Sequence, residues 1–169
     1  RLKTENRFVY IFAHIYPDGD AIGAALALRE YLKSNGVGAE YVVTDTIVKY
    51  KGLVDKIYPV KKVKKNSIAV ILDTPTKARI NGENLISNGV IKKEDIYVLD
   101  HHQVEGDERS IENELGIPMS NLIRRPDESS TCEILLHEFM KEEINTQVAN
   151  MLTLGLLTDT GKLRYLEPN

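Results

Sequence analysis

The sequence predicts an α/β protein built on a mostly parallel sheet with helices on both faces. Three observations carry this. Short apolar runs rich in β-branched residues alternate with segments of helical spacing. Acids and imidazoles fall directly after several of those runs. The chain has 169 residues, enough for one domain with a substantial core.

The elements follow in order. Arg7 to Ala13 is aromatic and β-branched and reads as a buried strand. Asp20 to Ser34 reads as a helix, because Ile22, Leu26, Leu28 and Leu32 recur near helical spacing, and Asn35-Gly36 supplies a left-handed stop. Gly38 to Thr44, Ser67 to Leu72 and Ile96 to Leu99 read as three further strands. Residues 130–142 and 146–157 read as two helices joined at Glu143–Asn145. Strands alternating with helices favour parallel pairing.

Composition excludes several classes. Lys and Arg total 22 against 25 Asp and Glu, a net charge of -3, which argues against a dedicated duplex-DNA binder. A nucleotide substrate stays open, because a small groove can be locally cationic. No apolar run approaches the ~20 residues of a membrane span. One Cys rules out an intramolecular disulfide and a Cys-based zinc site and favours a reducing, cytoplasmic setting. No signal peptide is visible after Arg1, and the natural protein is expected to be longer. Lys49 to Lys65 is strongly basic and Glu105 to Glu114 strongly acidic. Both read as solvated faces, with proximity to a polyanion as the alternative for the basic stretch.

The chemistry lies in where ligand-type residues fall. His14, Asp18 and Asp20 follow the first run, and Asp73 ends Ile68–Leu72. Asp100-His101-His102 ends Ile96–Leu99, and Asp159 ends Leu152–Thr158. Four apolar segments thus deliver such groups at their C-terminal ends, the edge at which open α/β sheets bind ligands. Parallel strands would bring Asp18, Asp20, Asp73, Asp100 and Asp159 into one crevice, where they cannot all stay ionised without cations. Two divalent ions resolve most of this, and oxygen and imidazole donors without thiolate favour Mn²⁺ or Mg²⁺ over Zn²⁺ or Co²⁺. A carboxylate-bridged pair suits in-line hydrolysis at phosphorus by a metal-bound hydroxide. Taken singly, Asp20 or Asp159 reads as a helix cap or turn former. His137, inside a predicted helix, reads as a surface or packing residue. The Asp-His-His triplet has little packing value after a buried strand.

Four segments resemble the motifs of the DHH phosphoesterase superfamily, in order from His14 to Gly161: His14-Ile-Tyr-Pro-Asp18-Gly-Asp20-Ala-Ile-Gly23, Asp73, Asp100-His101-His102 and Gly155-Leu-Leu-Thr-Asp159-Thr-Gly161. Ser129-Ser-Thr-Cys-Glu133 looks like the branch of oligoribonucleases (nanoRNases) and phosphoadenosine phosphate phosphatases, which overlaps with cyclic-dinucleotide phosphodiesterases. Inorganic pyrophosphatases are more distant relatives.

The resemblance implies that His14 and Asp18 hold one metal, with Asp73 bridging. Asp20, His101 and Asp159 would complete a second site with Asp73. His102 would contact the scissile phosphate or protonate the leaving oxygen, and Asp100 would orient an imidazole or touch a metal. The implied cofactor is two Mn²⁺, with Mg²⁺ or Co²⁺ as substitutes. The implied activity is phosphoester hydrolysis of short oligonucleotides or small nucleotides. Cyclic-dinucleotide cleavage, pyrophosphate hydrolysis and a non-catalytic metal-binding regulatory module are the alternatives, and a homodimer is allowed.

Ser130-Thr-Cys-Glu133 fits a capping box. Its alternative is a helix N-terminus facing the site, which makes Ser130 a candidate substrate contact. Arg164 is the leading candidate to neutralise substrate phosphate, ahead of Arg79, Arg124 and Arg125. Gly19 and Gly23 are expected to permit close turns around the first ligands, and Cys132 to be a small buried helix residue. Two departures stand out: Ala24, where many relatives have Ser, and no match to the family's C-terminal, glycine-rich substrate-gripping domain. Residues 1–169 are therefore expected to be the catalytic domain alone, able to bind metal but with little native activity.

Overall fold

The computed structural model describes residues 7–44, 59–74, 76–103, 111–140 and 143–164. The chain runs β1 (Val9–Phe12), α1 (Gly19–Ser34), β2 (Ala39–Tyr41), β3 (Ile68–Leu72), α2 (Glu83–Ser87), β4 (Ile96–Asp100), α3 (Ile111–Leu115), β5 (Leu122–Arg124), α4 (Thr131–Glu138) and α5 (Thr146–Asp159). The strands pair in parallel in the order β2-β1-β3-β4-β5. The predicted fold class is the one found.

The central strands are apolar on both faces because both faces are covered. Val9, Ile11, Ile68, Val70 and Leu72 point into one core with α1, α4 and α5. Tyr10, Phe12, Ala69 and Ile71 point into another, against Leu85 and Ile86 of α2 and Ile111 and Leu115 of α3. Leu72 lies level with Leu99 across the sheet, so β3 and β4 end together. Strand order reverses between β1 and β3, which opens a crevice at their C-terminal ends.

Helix α1 is enclosed: every residue from Gly19 to Leu28 is buried, which requires small side chains where α5 crosses it. Its Asn35-Gly36 stop forms as predicted, with Gly36 at φ 75°. Gly19 and Gly23 are not turn residues. Both lie within α1, and a Cβ at Gly23 would stand 2.5 Å from the Met151 carbonyl oxygen of α5. On the other side of this contact, a Cβ on Gly155 would collide with Cys132 Sγ and stand 2.7 Å from Asp20 Oδ1. Gly155→Ala is therefore expected to cost about 1–3 kcal/mol of stability. A urea titration should show a lower midpoint with an unchanged slope.

Differences from the sequence reading are local. β5, α2 and α3 were not foreseen. β2 is shorter than 38–44, and α4 ends at Glu138 rather than 142. Helix α5 runs on to Asp159, two residues past the predicted end, so this residue is the last of the helix. Residues 49–58 of the basic stretch and 105–110 of the acidic one lie outside the described residues; Lys61, Lys62, Lys64 and Lys65 are exposed, as a solvated face should be. Among the described residues no helix is long and apolar enough to cross a membrane.

Candidate metal centre

Three strand ends and three helix ends meet at the crevice. After β1, the backbone of His14 bridges to Ile80, and the Ile15 N–H donates to the Arg79 carbonyl at 2.8 Å. Asp18 is the N-cap of α1 and accepts from the N–H groups of Asp20 and Ala21 at 3.0 and 3.1 Å. Asp20 follows in the first turn and is fully buried. Asp73 leaves β3 in the left-handed region, φ 56°, with its N–H donating to Leu99 O at 3.0 Å. That conformation is uncommon outside glycine, although Asp is among the residues that tolerate it. It is a local strain of the kind that collects at functional sites. Asp100 is the last residue of β4, and His101 and His102 follow it.

The side chains converge. His14 Nε2 lies 3.6 Å from Asp73 Oδ2 and 3.9 Å from Asp18 Oδ1. His101 Nε2 lies 3.1 Å from Asp159 Oδ2, 3.5 Å from Asp73 Oδ1 and 3.9 Å from Asp20 Oδ2. The two carboxylate oxygens of Asp73 thus face two different imidazoles. His14, Asp18 and Asp73 form one group whose donor atoms all lie within 4.8 Å of one another, and Asp20, His101 and Asp159 form another. These oxygen and imidazole sets fit a pair of hard or borderline divalent ions.

Electrostatics agree with this crowding. Burial works to lower the His14 pKa, but Asp18 and Asp73 outweigh it and push it up to about 9. Burial likewise opposes protonation of His101, yet Asp159 and Asp73 carry it to about 10. Burial, and then the Asp73 charge, raise Asp20 to about 7. Asp73 is buried too, but His101 and His14 hold its carboxyl well below the usual range. In the metal-free chain, protons on the imidazoles substitute for cations. Ions must displace them, so at pH 7 loading is expected to release about two protons and affinity to rise with pH. Calorimetry in buffers of different ionisation enthalpy measures this release; its absence would remove the imidazoles from the ligand set.

His102 behaves differently. Its Nδ1 lies 2.7 Å from Asp100 Oδ1, and this bond raises its pKa. Arg124 extends the chain, with Nε 3.8 Å from Asp100 Oδ2 and a terminal nitrogen 3.3 Å from Glu112. Arg124 therefore steadies Asp100 and is not a free phosphate ligand.

The start of α4 reaches the centre in a way the sequence reading had only partly. Ser130 is the N-cap: its buried hydroxyl accepts from Glu133 N–H at 3.1 Å and is not open to a substrate. The first-turn amides of α4 do face the site, but they hold a carboxylate of the chain itself. Thr131 N–H donates to Asp20 Oδ2 at 2.7 Å and Cys132 N–H to Asp20 Oδ1 at 3.1 Å. The Thr131 hydroxyl donates to Asp73 Oδ1 at 3.2 Å. Thr131 thus touches both acids, a role with no signal in the sequence. Cys132 is buried, as expected, and burial raises its thiol pKa.

Arg79 and Arg164 are exposed, and Arg125 pairs with Glu138 at 3.0 Å. Another His-containing group, Glu128, Glu133 and His137, is internally satisfied: Glu128 pairs with His137 at 3.1 Å, and Glu133 accepts from the N–H and hydroxyl of Ser129 at 2.8 and 2.6 Å.

Comparison with known proteins adds independent findings. Residues 8–156 match the model of the DHH family, N-terminal domain. The bifunctional oligoribonuclease and PAP phosphatase NrnA of Thermus thermophilus is 26% identical over 174 residues, covering 97% of this chain and 47% of the relative. The cyclic-di-AMP phosphodiesterase PdeA of Listeria monocytogenes is 25% identical over 179 residues, covering 94% of this chain and 26% of the relative. The chain thus spans about half or less of the length of these curated relatives. A solved structure of an exopolyphosphatase-related protein from Bacteroides fragilis shares the fold, with a TM-score of 0.65 at 22% identity over 95% of this chain and 48% of that one.

Proposed function

The chain belongs to the DHH family, and from that premise we propose that its metal centre hydrolyses phosphoester bonds in short oligonucleotides or small nucleotides, using two divalent ions, manganese first among them. The observation that carries this reading is Asp73, whose two oxygens face His14 and His101 separately, as a bridging carboxylate requires. His14, Asp18 and Asp73 would hold one ion, and Asp20, His101 and Asp159 with Asp73 the other. When bound, the ions supply an acidified water and neutralise charge on the phosphoryl oxygens.

The chain's own residues do the rest. His102 keeps its Nδ1 proton on Asp100, so Nε2 is the atom free to meet the substrate. The Asp100 bond raises the ring's pKa, which favours the protonated form that donates to the leaving oxygen. Asp100 and, behind it, Arg124 fix the ring's orientation. Thr131 and Cys132 hold Asp20 in its ligand position. Arg164, exposed beyond α5, is the proposed contact for a substrate phosphate. Residues 1–169 act as the catalytic domain in this reading, and the single cysteine suits a cytoplasmic setting.

The likeness to PdeA favours a second reading, cleavage of a cyclic dinucleotide at the same centre. A manganese-supplemented assay of the full-length natural protein on a dinucleotide and a cyclic dinucleotide, against Asp73→Asn, tests both. Equal turnover by the two proteins refutes the mechanism; preference for the cyclic substrate selects the second reading.

A further inference from the structure

Apolar surface is concentrated at the rim of the metal centre. Of six large hydrophobic residues exposed among the described ones, Ile15, Tyr16 and Leu163 lie on the segments that carry His14, Asp18 and Asp159. The two segments adjoin, because a Cβ on Gly19 would stand 2.7 Å from Thr158 Cβ. Tyr16 is the extreme case. It is 82% exposed, whereas Tyr10 and Tyr41 are buried and Tyr31 and Tyr97 pack against the core.

Its backbone is nevertheless held. Ile15 N–H is tied to Arg79 O on one side. On the other, Pro17 has a fixed φ and restricts the residue before it to extended conformations. One residue separates Tyr16 from His14 and one from Asp18, so its Cα lies within about 8 Å of the Cα atoms of both candidate ligands. An aromatic ring in solvent, on a tethered backbone beside a phosphate-processing centre, has the chemistry of a base-stacking platform.

We propose that Tyr16 is a specificity residue on which the substrate's nucleobase stacks, which makes the substrate a nucleoside phosphate and not an inorganic one. This rests on the phosphoester reading above. Ile15 and Leu163 widen the apolar rim, and Arg79, whose carbonyl anchors the loop, is available to a phosphate at its edge. Stacking is tolerant of base identity, so the platform selects for a base without choosing among bases.

The chain has no Trp, so Tyr16→Trp introduces a single emitter at the platform. With Mg²⁺ present, AMP is expected to quench this emission and ribose 5-phosphate to leave it nearly unchanged. By calorimetry on the full chain, Tyr16→Ala is expected to weaken AMP about ten-fold, to leave ribose 5-phosphate where it was, and to be rescued by Tyr16→Phe. A purely structural role would weaken both ligands together. Equal responses to AMP and ribose 5-phosphate overturn the platform while the metal-centre reading stands. Failure of both ligands to bind overturns that reading and the platform with it.

Discussion

Asp73→Asn is expected to empty both ion sites at once and to reduce phosphoester turnover by more than about a hundred-fold. Even partners of metal ligands are worth ten- to a hundred-fold, and Asp73 is placed to ligate directly and twice. Asn keeps the side chain's shape and tolerates the left-handed backbone at φ 56°, so the fold should survive. What is lost is the charge between His14 and His101. The neutral amide offers one oxygen acceptor where the carboxylate offered two, and repulsion between its NH₂ group and one imidazole or cation replaces attraction. Elemental analysis of manganese-loaded protein should fall from two ions per chain towards none. Asp18→Ala, which removes a half-exposed member of one group only, should leave one ion. Equal loading of Asp73→Asn and the unaltered chain would sink the bridging assignment.

Removal of the ions is the second large effect. Each site filled at a hundred times its dissociation constant adds about 2.7 kcal/mol to the folded state. Two such sites add about 5 kcal/mol, and in a domain of this size each kcal/mol moves Tm by roughly 2–4 °C. Chelation is therefore expected to lower Tm by about 10–20 °C in a calorimetric scan. The gap should widen with pH. The raised imidazole pKa values of His14 and His101 mean that their ion pairs stabilise the metal-free fold fully below the unfolded value, and that this support fades as pH rises through about 9 and 10. Above that range the carboxylates face each other with neither protons nor cations. A Tm indifferent to chelator at pH 9 would contradict the cation requirement.

How much of this was legible in the sequence depended on whether the signal was local. β1, β3 and β4 are continuous apolar runs ending in polar groups, and His14, Asp18, Asp20, Asp73, His101 and Asp159 could be picked out from that punctuation. The first four strands and the three long helices followed from periodicity, whereas α2 and α3, at five residues each, are too short to show one. β5 has three half-buried residues and no alternation to read. The support around the ligands was harder to see. Thr131 and Cys132 act through backbone N–H groups, which every non-proline residue owns, so nothing in their identity announces the contact to Asp20. Arg124 reads as a surface cation until β5 sets it beside Asp100. Asp159 follows a segment that reads as a helix, and the structure extends that helix by two residues to include it.

The left-handed turn at Asp73 shows how one residue can be strained and still be hard to replace. Glycine at that position would relax the backbone, but it would also remove the carboxylate that pairs with His14 and His101 and accepts from the Thr131 hydroxyl, so the empty fold would lose ion pairs as it lost strain. The same exchange would delete the oxygen pair proposed to serve both cation seats. Losing the need to cleave phosphoesters would therefore not by itself free position 73, because the metal-free pocket also leans on that carboxylate.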